Sequence, residues 1–401
     1  MEVFSGKISI KQIFIHRETW LKFWTSHILM LRWSVIWNAW KMLQCKNAFG
    51  HTEYICPKCK AVRRIPHTCK SRFCNSCGKA AVERWSEKTL TEILDVKYKH
   101  IVFTIPEQFR IWFRKNRKTC LNILFSSAKD AILEFAKEKG FKPGIICILH
   151  TFGADLKWNP HIHIIITAGG LKDDKTRWIK NSYFPQCFIR PKYRYIFLKK
   201  LKKAFKNNEL QPPKSNSQIK TCSQFNSYLT QFYKNEWYVY FGKELKEAEG
   251  TVKYSGRYGK RPVIAESRIT KFTGKEVTFR YKDRALGKET TLTLPVYEFI
   301  KRLIIHIPDN NFRVIRYSGI FAARVKSELL NTAETILNLT RSIYQRKSYR
   351  DMYRENYGHD PLKCSFCGTS MILMNVAPVN TSEIKLFCIK YNDRFKQKSI
   401  C

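Results

Sequence analysis

The chain has 401 residues, 73 of them Lys or Arg and 32 Asp or Glu, which leaves a formal net charge of +41 and a pI near 9.9. Self-repulsion on that scale excludes a protein without a polyanionic partner and points to a phosphate backbone or an acidic membrane face. Hydrophobic residues at 44% and aromatics at 14% exclude a disordered basic tail, and no apolar run reaches the roughly 18 residues that a membrane span needs.

From the N-terminus, residues 1–50 read as helices, with Trp20, Phe23, Trp24, His27 and Met30 and then Trp33, Ile36, Trp37 and Trp40 at spacings of three and four. No secretory signal core interrupts them. A cysteine cluster follows, then a helix over about 80–94. From residue 99 the texture turns to short β-rich runs at 100–106, 144–151 and 161–167, with a helical stretch over about 111–139 between the first two. This β-α-β-β order makes α+β the expected fold class. The segment 190–206 holds eight basic residues and no acid, and its helical spacing turns Lys199, Lys200, Lys203 and Lys206 to solvent, a row suited to phosphates. A strand is expected at 237–241, a hairpin of 263–272 with 276–281 across Thr273-Gly274, and a helix at 296–305. The sequence beyond Asp351 has no legible pattern.

Five of the fourteen cysteines lie between Cys56 and Cys77, a density that in a chain of this length reads as metal binding rather than a disulfide framework. Cys56-Pro-Lys-Cys59 and Cys74-Asn-Ser-Cys77 are two C-x-x-C knuckles, each able to bring two thiolates to one tetrahedral Zn²⁺. The expected set is therefore Cys56, Cys59, Cys74 and Cys77, with Cys69, His67 and His51 competing for positions and a two-metal arrangement left open. Such a closed site is structural. Arg63, Arg64, Lys70 and Arg72 around it suggest DNA contact. A later pair, Cys364 and Cys367, has no obvious partner knuckle; Cys388 and Cys401 are the candidates to complete it.

In Pro160-His161-Ile162-His163 the alternation of a strand puts both imidazoles on one face and the isoleucines on the other. If 144–151 and 161–167 pair as a hairpin, simple register sets His150 opposite His161 and offers a third ligand, with Asp155 as an acidic alternative. Imidazole donors favour zinc or iron-group ions over Mg²⁺. Tyr254 and Tyr258, four apart around Arg257, share a face if helical.

The order of these motifs resembles the two-tyrosine transposases of the insertion-sequence-91 type, in the HUH endonuclease superfamily. The matching pieces are Gly50-His51 with the cysteine cluster, Val102-Phe-Thr-Ile-Pro106, Leu149-His-Thr-Phe-Gly153, Pro160-His-Ile-His163 with Gly169-Gly170, and Tyr254-x-x-Arg257-Tyr258. His306-Ile-Pro308, Arg316-Tyr317-x-Gly319 and Cys364-x-x-Cys367-Gly368 follow. The resemblance implies an antiparallel-sheet HUH-type nuclease core over 96–310, preceded by a helical zinc-binding module over 1–95 and followed by a mixed basic C-terminal region over 311–401. It implies a prokaryotic, cytoplasmic, nucleoid-associated enzyme that cleaves and joins single-stranded DNA at element ends, without ATP and away from membranes. By the same resemblance His161 and His163 hold Mg²⁺ or Mn²⁺, to which the register adds His150 as a candidate third ligand, and Tyr254 or Tyr258 attacks to leave a 5′-phosphotyrosine. Arg257 joins the DNA-contacting residues. A rolling-circle replication initiator and a catalytically inactive zinc-containing DNA-binding regulator are the competing readings.

Overall fold

The computed structural model describes residues 7–180, 183–234, 237–245, 252, 256, 262–283, 287–341, 345 and 347–379. The N-terminal helices are α1 (Ile10–Ile15), α2 (Thr19–His27) and α3 (Trp33–Leu43). A capping box opens α1, with the Ser9 hydroxyl accepting from the Gln12 amide and the Gln12 side chain answering on the Ser9 amide. Of the stripe, Trp20, Phe23, Trp24, Ile36 and Trp40 are buried, whereas His27, Trp33 and Trp37 are half-buried and Met30, beyond the end of α2, is exposed. A hairpin of β1 (His51–Ile55) and β2 (Val62–Pro66) then leads to α4 (Asn75–Thr91).

The core follows as β3 (Tyr98–Phe103), α5 (Arg110–Lys115), α6 (Arg117–Glu138), β4 (Phe141–Lys142), β5 (Gly144–Phe152), β6 (Trp158–Thr167), β7 (Gly170–Lys172) and β8 (Trp178–Ile179). After these come α7 (Gln186–Lys206), α8 (Cys222–Lys234) and β9 (Val239–Leu245), then β10 (Ile269–Phe272), β11 (Glu276–Lys282) and β12 (Glu289–Pro295). The described chain closes with α9 (Val296–Ile304), β13 (Ile315–Gly319), α10 (Lys326–Leu337), α11 (Tyr349–Tyr357) and β14 (Ile372–Ala377). The fold is α+β, as expected.

The central sheet has the order β13-β5-β6-β3-β9, and every neighbouring pair is antiparallel. Alternation sorts its side chains. Ile162, Ile164, Ile166, Cys147, Leu149, Ile101 and Phe103 point to one face, where α6 and α7 cover them. Tyr98, Ile146, Ile148 and Ile165 point to the other, in a buried cluster with Leu94 and with Leu329 and Leu330 of α10. Burial on both faces explains why β5 and β6 read as near-continuous apolar runs rather than as an alternating pattern.

A second core joins α1–α3 to the sheet β10-β11-β12 and to α9, with Phe14, Phe23 and Ile36 meeting Val277, Phe279 and Phe299. Among the residues expected to form a C-terminal region, the two strands belong to different sheets. Strand β13 completes the edge of the central sheet on β5, and β14 pairs with β1.

Candidate metal centres and nucleic-acid cleft

The histidine strand behaves as its alternation requires. The register of β5 and β6 sets His150 opposite His161, so His150, His161 and His163 share one face while Ile162 and Ile164 anchor the strand from behind. Each of the three offers a ring nitrogen, and all three nitrogens lie within 4.8 Å of one another. That span is close to what one ion bridges with bonds of about 2.1 Å. All three rings are buried, and burial, with the neighbouring His163 and His161, holds His150 well below the usual imidazole range, hence neutral and ready to donate a lone pair. The His161 Nδ1 lies 2.7 Å from the Asn159 carbonyl. A carbonyl only accepts, so this bond places the proton on Nδ1 and the lone pair on Nε2.

His100 joins this group without having been singled out from the sequence. Its Nε2 lies 2.7 Å from His163 Nδ1, a contact of the kind that orients a metal-binding imidazole and that would turn Nε2 of His163 toward an ion. The signal was present in the β3 motif. His100 and Val102 are two apart, and Val102 pairs with His163.

The turn between β5 and β6 is pinned from a distance. His306 is buried, with its Nε2 donating to the Leu156 carbonyl at 3.0 Å and its Nδ1 accepting from the Thr151 hydroxyl at 3.0 Å. Its ring stacks on Trp158, whose other partner is the Arg117 guanidinium at 4.5 Å. Burial lowers the His306 pKa to about 3. Between about pH 6.5 and pH 3 the unfolded chain binds a proton here that the folded chain refuses, so stability rises with pH across that window and falls as acid is added. Going from pH 7 to pH 5 should cost about 2 kcal/mol from this residue. Urea unfolding at the two pH values should show the loss, to which buried His150 and half-buried His100 also contribute, and His306→Gln should reduce it by about that amount; an unchanged loss in that variant would place its origin elsewhere.

In front of the histidines lies a cleft of about 1040 Å³. Tyr238, just before β9, and Tyr240 of β9 line it from the sheet side, and Arg268, Arg280, Lys282 and Lys157 line the rest together with Asp155, Asp283 and Glu289, of which Asp155 pairs with Lys157 and Glu289 with Arg280. Arg268 is fixed by bonds to the carbonyls of Arg280 and Ala154, both 2.7 Å, so the β10-β11-β12 sheet is tied directly to the turn beside the histidines. These cleft cations were missed in the sequence, although β11 alternates Val277 and Phe279, which are buried, with exposed Arg280 and Lys282.

The expected basic row lies elsewhere. Lys199, Lys200 and Lys203 are on α7, which packs on the sheet face opposite the histidines. Lys199 and Lys203 are exposed, and Lys200 is paired with Asp130 at 2.5 Å. The parity of the strands puts this row behind the sheet, so it does not share the cleft. In the N-terminal module Lys70 is exposed, Arg64 pairs with Glu53 at 2.6 Å and Arg63 donates to the Pro361 carbonyl at 2.5 Å. Arg72 turns inward to a small internal pocket with Arg117, His306 and Asp309, where burial lowers its pKa to about 10. It faces away from the outer surface on which a DNA contact was expected.

The cysteines form two centres, and neither is the expected quartet. Cys45, Cys69, Cys74 and Cys77 gather in one group and Cys56, Cys59, Cys364 and Cys367 in another, with the thiols of each within 4.8 Å of one another. The knuckles at Cys56 and Cys74 thus do not meet. Their local geometry separates them: Cys74 is the N-cap of α4 and Cys77 lies in its first turn, whereas Cys56 ends β1 and turns back into β2. In the first centre the Cys45 and Cys69 sulfurs lie 3.7 and 3.6 Å from Cys77. Four closed thiol ligands of this kind suit structural Zn²⁺. Cys69 proved a member of the set and Cys45 was overlooked, because it has no knuckle spacing. His67 instead bonds the Thr52 hydroxyl and the Phe49 carbonyl, and His51 lies beside Glu53. Asp155 caps the β5–β6 turn through the Lys157 amide, and Cys388 and Cys401 lie outside the described residues.

Tyr254, Arg257 and Tyr258 also lie outside the described residues. Two of their neighbours are described: Val252 and Gly256 are helical. Val252 is buried in the cluster on the histidine-bearing face, and a Cβ on Gly256 would stand 2.8 Å from the Trp85 ring of α4. The glycine permits that approach at the cost of helix propensity.

Comparison with known proteins agrees with this arrangement. Residues 144–328 match the family described as "Putative transposase", and residues 15–105 match "Transposase zinc-binding domain". The chain is 31% identical over 371 residues, 90% of this chain and 88% of the relative, to "Transposase for insertion sequence element IS801" of Pseudomonas savastanoi pv. phaseolicola. It is 30% identical over 336 residues, 80% of this chain and 84% of the relative, to "Putative transposase y4qJ" of Sinorhizobium fredii. No solved structure matches.

Proposed function

The chain belongs to the transposases of the insertion-sequence-91 type, and from that premise we propose that it cleaves and rejoins single-stranded DNA at element ends, through a 5′-phosphotyrosine, during rolling-circle transposition. The observation that carries this reading is the convergence of His150, His161 and His163 on the wall of an open cleft with basic and aromatic sides. Mg²⁺ or Mn²⁺ held by these imidazoles would neutralise charge on the scissile phosphate, and the all-nitrogen donor set favours Mn²⁺.

The remaining work falls to the chain. Arg268, Arg280 and Lys282 hold the phosphates, and Tyr238 and Tyr240, both largely exposed, give flat surfaces on which unpaired bases stack. The phenolic oxygen of Tyr254 or Tyr258 attacks phosphorus. The bond from phosphorus to the 3′ oxygen breaks, that oxygen leaves as a 3′-hydroxyl after taking a proton, and the phenolic proton passes to water. The tyrosine ester keeps the energy of the broken phosphodiester, so the reverse attack by a 3′-hydroxyl rejoins strands without a nucleotide cofactor. The burial of Val252 and Gly256 on the histidine-bearing side supports the choice of nucleophile.

The test is a covalent-adduct assay. With Mn²⁺, a single-stranded oligonucleotide carrying an element end should become attached to the protein and survive denaturant. Tyr254→Phe/Tyr258→Phe should form no adduct; attachment that persists in this variant means that another residue attacks.

A further inference from the structure

We propose that the chain binds a second zinc ion, through Cys56, Cys59, Cys364 and Cys367, and that this ion fastens the segment ending in β14 to the N-terminal module. The ligand set lies partly outside the zinc-binding region matched at residues 15–105. Its halves are about three hundred residues apart in the chain: Cys56 and Cys367 are separated by 311 positions, Cys59 and Cys364 by 305.

Three observations converge. The sulfur separations are those of a tetrahedron: Cys56 to Cys367 and Cys59 to Cys364 are 3.4 Å and Cys59 to Cys367 is 3.7 Å. Zn–S bonds of about 2.3 Å set the edges of such a tetrahedron at about 3.8 Å, whereas a disulfide needs about 2.05 Å.

The two knuckles also have the same backbone. The Cys56 amide donates to the Ala61 carbonyl at 2.8 Å and the Lys60 amide returns to Cys56 at 3.0 Å; the Cys364 amide donates to Thr369 at 2.9 Å and the Gly368 amide returns to Cys364 at 3.0 Å. In both, the residue after the second cysteine has positive φ, 59° at Lys60 and 69° at Gly368. Two like turns therefore present paired sulfurs to one point.

Finally, among the described residues the segment has little apolar packing on the N-terminal module. The buried apolar cluster at this place is Cys56, Cys364 and Met371, and Ile372, Leu373, Met374 and Val376 of β14 are all about half exposed. Backbone pairing to β1 over such a small core needs a cross-link, which a four-thiolate zinc provides. Strand β14 also passes directly over Gly50, whose Cβ would lie 2.4 Å from the Ala377 carbonyl.

The experiment uses the full chain purified with reductant. Zinc released on denaturation should amount to two ions per chain, and to one in Cys364→Ser/Cys367→Ser. Thiol alkylation of the wild-type protein avoids any folding defect of the variant. Cys187 and Cys222, both exposed and free, should react at once, while Cys56, Cys59, Cys364 and Cys367 should stay protected until a chelator is added and then become reactive together. One zinc in the wild-type protein, two in the variant, or Cys364 and Cys367 alkylated as fast as Cys187 with zinc present would each overturn the proposal. So would a Cys56–Cys367 disulfide in reduced protein.

Discussion

His161→Ala/His163→Ala is expected to lose at least about 10³-fold in strand cleavage while binding single-stranded DNA within a few-fold of the wild-type protein. Charge stabilisation by a bound divalent ion is worth several kcal/mol in the transition state, and each 1.36 kcal/mol is a factor of ten. On the proposed function, affinity should come from other groups, namely Arg268, Arg280, Lys157 and Lys282 along the cleft, whose phosphate contacts would weaken with salt rather than with metal. The fold should tolerate the change because Ile162 and Ile164, which carry the core contacts of β6, point to the opposite face. Single-turnover cleavage of an element-end oligonucleotide, beside a binding titration without metal, separates the two effects. An equal loss of binding and cleavage would assign the histidines to structure.

Cys74→Ser/Cys77→Ser should be the most damaging change to the fold. Structural zinc in small modules contributes roughly 10–16 kcal/mol of binding free energy, as much as the whole stability of an ordinary domain. The loss should spread beyond the cysteines. Cys69, Cys74 and Cys77 belong to the same buried core as Phe14, Phe23, Ile36 and the β10-β11-β12 sheet, and that sheet, with the turn that leads into it, supplies Arg280 and Arg268 to the cleft. Expected results are one zinc fewer per chain, rapid proteolysis within α1–α3, and at least a tenfold loss of single-stranded DNA binding. Normal protease resistance in a variant that had lost its zinc would show that packing alone holds the module.

Much of the candidate site was legible because its rules are local. The two-residue repeat of a strand put His161 and His163 together, and a simple hairpin register brought in His150, both observed in β5 and β6. The knuckle spacing marked Cys56, Cys59, Cys74 and Cys77 as metal-binding, and left Cys364 with Cys367 as a pair without a partner. His100 and the Arg280–Lys282 edge obeyed the same alternation, yet nothing in β3 or β11 alone indicated which neighbour each strand would meet.

By itself, the sequence determined the α+β class, the shared face of the histidines and the cysteine pairs, since each depends on backbone geometry within a few residues. Only the tertiary structure decided which pairs share an ion, and it joined Cys56 and Cys59 to Cys364 and Cys367 rather than to Cys74 and Cys77. It also set the lysines of α7 behind the sheet and Arg268 and Arg280 in front of it. Both outcomes follow from strand order. A C-x-x-C turn can offer two sulfurs but cannot choose the other two, and a helix can offer a basic row but cannot choose the face of the sheet on which its apolar side will be buried.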